Sequence, residues 1–360
     1  MAKALDGTPL TEDEALFAYE SAPAAELGCV ADALRRRAVP DPSVVTWQID
    51  RNVNITNVCV SGCKFCNFHC RPGSGDAYIT TIDEYSRKIG ETLALGGDQL
   101  LLQGGMHPKL DITYYEGLFR ELKKLYPQIK LHALGPPEVF HIARISRITV
   151  RETLERLVAA GLESLPGAGA EILDDEVRRR ISPGKASAGQ WLEVMREAHR
   201  IGLATSATMM YGHVETPRQR IRHLIALRDL QAERPEGSPG FIAFIPWIFR
   251  SAGTRLESQG VRERFSPVEY LRLTAISRIV LCNIRNIQAS WLTVGKKTAQ
   301  AALHFGANDM GSIMIEENVV SSAGARNSFD AGGIRAAIRE AGFTPRLRDQ
   351  RYRMRDESGI

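Results

Sequence analysis

Four cysteines crowd one short stretch, NVCVSGCKFCNFHC (57–70). Cys59, Cys63 and Cys66 are spaced C-x3-C-x2-C, and Cys70 follows four positions later. Thiolates so close together hold soft metals, and two chemistries compete for them. Four ligands, with His69 able to replace one, make a closed structural zinc site. Three ligands hold three corners of a 4Fe–4S cluster and leave the fourth iron open to a ligand that is not protein. Structural zinc sites usually clip two separated chain segments, whereas all of these residues lie in one loop. That disfavours structural zinc and favours a cluster, without deciding whether three or four of the cysteines hold it. A closed electron-transfer cluster is the remaining alternative.

Such a loop needs a rigid support. Thr11-x-x-Glu14, Thr81-x-x-Glu84, Thr149-x-x-Glu152 and Ser266-x-x-Glu269 read as capping boxes, each opening an amphipathic helix. Strand-like runs are expected near 51–57, 98–102, 129–133, 162–166, 203–209, 241–245, 284–289 and 304–314. Helical patterns at 83–95, 113–125, 151–160, 190–201, 217–232, 267–281 and 295–303 separate them. About eight strand–helix units over this length predict a closed parallel α/β barrel of the (β/α)8 TIM type. The expected organisation is an N-terminal helical extension (1–45), the barrel (46–320), and a C-terminal helix near 331–341 with a basic tail (321–360) packed on it. Polar or glycine-rich segments follow each strand: CVSGCKFC, QGGMHP, HALGPPE, PGAGAE, MYGHVET, PWIF, SW and GANDMG. In such barrels the catalytic face is built from the loops at the carboxyl ends of the strands.

The bulk properties narrow the function classes. The chain has 360 residues, 44% hydrophobic and 24% charged, which is ample for a large core. Net charge is only +4, and runs such as Arg35-Arg36-Arg37 and Arg178-Arg179-Arg180 fall in helical patterns, so no nucleic-acid groove is expected. No apolar run reaches the length of a membrane helix, and the polar start MAKALDGTPLTEDE is not expected to act as a secretory signal. The expectation is a cytoplasmic protein without disulfides, with Cys29 and Cys282 as core residues.

With Phe65 immediately before the last cysteine of the triplet, the loop closely resembles that of radical S-adenosylmethionine (SAM) enzymes. The resemblance implies an open cluster held by Cys59, Cys63 and Cys66, with Cys70 a bystander and SAM chelating the fourth iron through its amino and carboxylate groups. It places Gln103-Gly104-Gly105 at the SAM amino group, Glu171 at its amino-acid end or ribose, and the backbone around Met210 beside the adenosine. Glu171 also reads as a helix first-turn carboxylate. His213 and Glu215 either function there or order the loop.

Within that superfamily, HALGPPE (132–138), LPGAGAEIL (165–173), ATMMYGHVET (207–216), IQASWLTVG (287–295), FGANDMGSIMIEENVV (305–320) and AGFTPRLRDQRY (341–352) are similar to the cyclic dehypoxanthine futalosine synthases of the futalosine route to menaquinone. His69-Cys70 and Gly135 depart from that pattern, where an aromatic–basic pair and a serine are expected. The resemblance implies a small-molecule substrate, dehypoxanthine futalosine, and an electron donor such as flavodoxin or ferredoxin. It implies that a 5′-deoxyadenosyl radical takes the ribose C4′ hydrogen, the carbon radical adds to the benzoate ring, and loss of an electron and a proton restores aromaticity. His132 and Asp309 are the candidate bases for that proton. Glu138, Ser290, Thr293 and Trp291 are the candidate substrate contacts, with Trp247 and Phe249 as further walls. Glu316-Glu317 reads either as a helix face or as a solvent pair. Rival readings are aminofutalosine synthase, a deazaflavin-forming radical SAM enzyme, and a zinc-stapled ligand-binding barrel.

Overall fold

The computed structural model describes residues 1–316 and 327–357. Short apolar or alternating runs form parallel strands: β1 (Val44–Gln48), β2 (Asp50–Asn54), β3 (Gln99–Gln103), β4 (Lys130–Ala133), β5 (Leu162–Leu165), β6 (Ala204–Tyr211), β7 (Phe241–Ile248), β8 (Asn286–Ile287), β9 (Asp309–Ser312) and β10 (Thr344–Leu347). Strands β2 to β8 pair in sequence order in one sheet, and β10-β1-β9 form a second. The two sheets are continuous. Ile49 alone separates β1 from β2, so they act as one long strand. On the far side, Asn308 N–H donates to Ile287 O (3.0 Å) and Ala289 N–H to Asp309 O (2.8 Å), while Ile313 N–H donates to Gln48 O (3.1 Å). These bonds close an eight-stranded α/β barrel of the TIM type, as the alternation of elements predicts.

The differences from expectation have local causes. The first strand begins at Val44, inside the segment expected to be helical. The basic tail contains β10, which pairs with β1 from Val44↔Thr344 to Trp47↔Leu347. Pro345 makes TPRL a weak strand signal, yet proline is tolerated on an edge strand such as β10. Helix Pro136–Ser146 arises where a strand-end loop was expected, because two prolines occupy its first turn, where no N–H is needed.

Full capping boxes form at Thr11/Glu14 and Thr81/Glu84, whereas Thr149 caps the Glu152 N–H alone. Ser266 makes no side-chain cap. The Glu269 carboxylate is drawn instead to Tyr19 Oη (2.5 Å) and the Arg220 guanidinium, which ties helix Glu12–Ser21 to the barrel. Cys29 and Cys282 are exposed rather than core residues. Helix Ala24–Ala38 buries Leu27, Val30 and Ala31, a stripe that leaves Cys29 facing solvent. Glu316 pairs with Arg51 (3.0 Å) and Lys88 (2.5 Å); Glu317 lies outside the described residues. No described helix is long and apolar enough to cross a membrane.

Candidate active site

A cavity of about 380 Å³ occupies the barrel interior and opens toward the loops at the strand ends. Cys59, Cys63 and Cys66 line it; Cys70 does not. Cys70 is committed through its backbone, accepting from Cys59 N–H (3.1 Å) and donating to Asn57 O (2.9 Å). The loop is pinned by its neighbours as well. Val60 N–H donates to Met106 O (3.1 Å), Lys64 N–H to Ile181 O (2.8 Å), and Gly184 N–H to Ser61 O (3.1 Å).

Glycine is required at two of these contacts. A Cβ on Gly105 would lie 2.1 Å from Val58 O, and one on Gly184 would lie 2.6 Å from Ser61 O. The second glycine of Gly104-Gly105 thus serves close packing on the cysteine loop, in addition to leaving room for a ligand.

The thiols are held in a polar cradle. Ser61 Oγ sits between Cys59 Sγ (2.9 Å) and Cys63 Sγ (3.3 Å), and Met106 N–H points at Cys59 Sγ (3.3 Å). Burial pushes the Cys63 thiol up, and the nearby Lys185 ammonium opposes that. Three soft donors on one cavity wall, with N–H and O–H groups aimed at sulfur, suit an iron–sulfur cluster that keeps one iron for a further ligand.

Lys185, which sequence reasoning missed, organises the adjoining wall. It donates to Glu171 Oε1 (2.7 Å) and lies 5.1 Å from the Phe65 ring centre. Burial opposes its charge, but Cys63 and Glu171 outweigh that and raise its pKa. Its only sequence signal is a lysine after a glycine in SPGKAS, between two helices. Glu171 lines the cavity in a left-handed conformation (φ 45°), costly for a non-glycine residue and held by the Met210 N–H on its carbonyl (3.0 Å). Met210 itself does not reach the cavity: its side chain is buried and only Ser206 and Thr208 of β6 line the space. His213 and Glu215 order the loop that follows. Glu215 accepts from Gly212 and His213 N–H (2.6 and 2.9 Å) and pairs with Arg220 (2.7 Å).

Glu138 lies beside the glycine pair. It accepts Gly104 N–H on Oε1 (3.1 Å) and Gly135 N–H on Oε2 (2.7 Å), and burial pushes its carboxyl up to about 7. Gln103, Gly104, Gly105, Phe65 and Glu138 all border the cavity. At Gly135 a Cβ would come 2.9 Å from Ala168 Cβ, so glycine, not serine, fits this packing.

Ser290, Thr293 and Trp291 form part of another wall. Ser290 Oγ donates to Pro246 O (2.6 Å), Thr293 Oγ1 to Ser290 O (3.1 Å) and Trp291 Nε1 to Ser312 O (3.1 Å), so each presents spent donors and an apolar or acceptor surface. Trp247 lines the cavity beside them; Phe249 is buried away from it, edge-on to His213.

Of the two candidate bases, His132 reaches the cavity floor and Asp309 does not. His132 faces the cavity, with Nδ1 against Ser164 Oγ (2.7 Å) and Nε2 near Gln350 Nε2 (3.3 Å); burial pulls its pKa down to about 3, so it is neutral. Asp309 does not border the cavity and its oxygens are taken. It accepts Arg348 Nε (2.6 Å) and Nη2 (2.9 Å), Gly311 N–H (2.8 Å) and the Thr46 hydroxyl. The expectation of a base at Asp309 gives way to a bidentate anchor for Arg348, whose guanidinium reaches the floor from the segment after β10. Asp50, Asn52 and Asn54 of β2 complete the polar lining. Their signal was the alternation D-x-N-x-N, which by itself reads as a solvent face.

A parallel barrel that presents three thiols from its first crossover loop, faced by a glycine backbone and buried carboxylates, is the scaffold of a radical SAM enzyme. Residues 53–227 match the sequence profile of the radical SAM superfamily, and residues 238–359 that of the CofH/MqnC C-terminal region. The chain belongs to the radical SAM superfamily and, within it, to the CofH/MqnC family. It is 44% identical to the cyclic dehypoxanthine futalosine synthase of Streptomyces coelicolor, over 97% of this chain and 86% of that protein. It is 39% identical to the synthase of the same name from Halalkalibacterium halodurans (97% and 92%). It is also 40% identical to the 5-amino-6-(D-ribitylamino)uracil–L-tyrosine 4-hydroxyphenyl transferase of Archaeoglobus fulgidus (91% and 93%). Among solved structures, methylornithine synthase shares the fold at 19% identity (TM-score 0.71, 96% of both chains), as does the hydrogenase maturase HydG at 14% (TM-score 0.74, 96% of this chain and 74% of that one). Members of the superfamily bind a 4Fe–4S cluster and SAM, and the cysteine cradle fits that pair.

Proposed function

We propose that this protein is a radical SAM cyclase that closes dehypoxanthine futalosine into its cyclic form in menaquinone biosynthesis. The observation that carries this reading is the 44% identity to the Streptomyces coelicolor synthase along nearly the whole chain. When bound, the cluster and SAM together supply a 5′-deoxyadenosyl radical after one-electron reduction by a donor such as flavodoxin or ferredoxin. A cytoplasmic setting suits the free thiols and that donor.

The chain's own residues bind, orient and exclude water. Cys59, Cys63 and Cys66 hold the cluster. The backbone of Gln103, Gly104 and Gly105, with Glu138, Glu171 and Lys185, receives the charged amino-acid end of SAM, and Phe65 shields the cluster edge. Trp291 and Trp247 flank an aromatic ring, while Ser290 and Thr293 offer acceptor oxygens. His132, neutral in its buried setting, takes the ring proton after cyclisation. The cyclised ring radical also gives up one electron, which a one-electron acceptor such as the oxidised cluster would take when bound, and the resulting cation is acidic enough for a weak base.

A second reading follows from the Archaeoglobus fulgidus transferase, which matches nearly as well. Anaerobic incubation with SAM and reductant separates the two. One arm contains dehypoxanthine futalosine, the other L-tyrosine with 5-amino-6-(D-ribitylamino)uracil. The cyclase reading expects product only in the first arm, two hydrogens lighter than its substrate. Product only in the second arm replaces it with the transferase.

A further inference from the structure

The wall that β2 contributes to the cavity is polar where a barrel interior is ordinarily filled by branched apolar side chains. Asp50, Asn52 and Asn54 alternate with Arg51 and Val53, so they share the inward face, and all three line the cavity. Asp50 and Asn52 are 4% and 3% exposed. Asp50 Oδ2 accepts from Gln48 Nε2 (2.8 Å) and Gln99 Nε2 (3.3 Å). Its Oδ1 is buried with no hydrogen-bond partner among the described residues, and so is Asn52 Oδ1. Tyr352 Oη, on the same cavity, is equally unpartnered.

Unmet buried acceptors are rare and mark a missing partner. The other carboxylates of the cavity are already engaged: Glu138 by two backbone N–H groups and Glu171 by Lys185. Of these three cavity carboxylates, Asp50 alone has an oxygen that is buried with no hydrogen-bond partner among the described residues. Positions i and i+2 of a strand stand about 7 Å apart, enough to flank the hydroxyl edge of a sugar ring.

We propose that Asp50, with Asn52 beside it, anchors the substrate by accepting hydrogen bonds from its sugar hydroxyl groups, seating the sugar on β2 below the cysteine loop. This rests on the cyclase reading and deepens it by assigning the sugar end of the ligand to a named pair of residues. A site built to receive a hydroxyl discriminates strongly against an analogue that lacks it, because the buried acceptor is then left unmet.

The test is calorimetric binding to cluster-loaded protein without reductant, so that no turnover intervenes. The ligands are dehypoxanthine futalosine and its 2′- and 3′-deoxy analogues, and the proteins are wild type, Asp50→Asn and Asn52→Ala. Wild type is expected to bind the full substrate about 10- to 100-fold more tightly than at least one deoxy analogue. Asp50→Asn is expected to lose a similar factor for the full substrate and to stop discriminating against that analogue. Wild-type protein that binds substrate and both analogues equally overturns the anchor, whatever the variants do. So does Asp50→Asn with unchanged affinity and discrimination. Wild-type protein that cyclises the substrate in a separate reduced assay with SAM, yet shows no such discrimination in binding, overturns the anchor alone. Failure to bind or convert the substrate at all overturns the cyclase reading and the anchor with it.

Discussion

Asp309→Asn tests whether the buried partner of Arg348 is structural. Asp309 is wholly buried and receives two hydrogen bonds from the guanidinium, one from Gly311 N–H and one from Thr46. Burial opposes the Arg348 charge, and Asp309 outweighs it, so the guanidinium holds its proton more firmly than a free arginine does. Removing the carboxylate charge leaves that cation poorly compensated. Breaking a buried pair in this way costs about 3–5 kcal/mol. The lower end applies, because the Gln48 side chain and the Tyr352 ring remain against the guanidinium. Against a typical stability of about 5–15 kcal/mol that is a large loss. Urea unfolding followed by circular dichroism reads it directly. A double variant, Asp309→Leu with Arg348→Met, is expected to recover much of the stability. Asp309→Asn protein as stable as wild type within about 0.5 kcal/mol, yet nearly inactive, would refute the structural assignment and restore a proton-transfer role.

Gly105→Ala forces the cysteine loop to move by about 1 Å, and misplacement of that size costs roughly 100-fold in rate; the readouts are retained iron per chain and 5′-deoxyadenosine formation, both expected to fall. Cys63→Ser is expected to abolish cluster retention, while Cys70→Ser keeps iron, sulfide and turnover at wild-type levels, and equal losses in both would reinstate a four-ligand site. Glu138 gives a pH signature. Its folded pKa of about 7 lies above the ordinary glutamate value of 4.5, so the folded state binds the proton more tightly. Its contribution is greatest below about pH 4.5 and falls by about 3 kcal/mol as pH rises to about 7. Urea titrations of cluster-free wild type and Glu138→Gln across that window should show the slope only in wild type.

What the sequence disclosed was local chemistry. The cysteine spacing, the glycine pair and the strand–helix rhythm are short-range patterns, and they located the loop, the barrel and most of the lining. What escaped depends on closure. Asp50, Asn52 and Asn54 alternate as a solvent-facing strand would, and only the closed barrel turns that face onto a cavity. Lys185 enters from a connection between helices, within the same β5–β6 crossover as Glu171, but the cysteine it faces, Cys63, comes from the crossover after β2. Asp309 reads in sequence like a strand-end catalytic residue, but it opens β9 at its amino end, and its partner Arg348 arrives from a segment after an edge strand whose proline concealed it. Met210 has the apolar alternation of a core residue, and its backbone rather than its side chain meets the Glu171 turn.

The most direct test of the central claim is hydrogen transfer from substrate to SAM. Dehypoxanthine futalosine carrying deuterium at C4′ is incubated anaerobically with the reduced, cluster-verified protein and SAM. One deuterium is expected in 5′-deoxyadenosine for each cyclised product formed. Product without deuterium transfer, or no 5′-deoxyadenosine from protein whose cluster is intact, would contradict it.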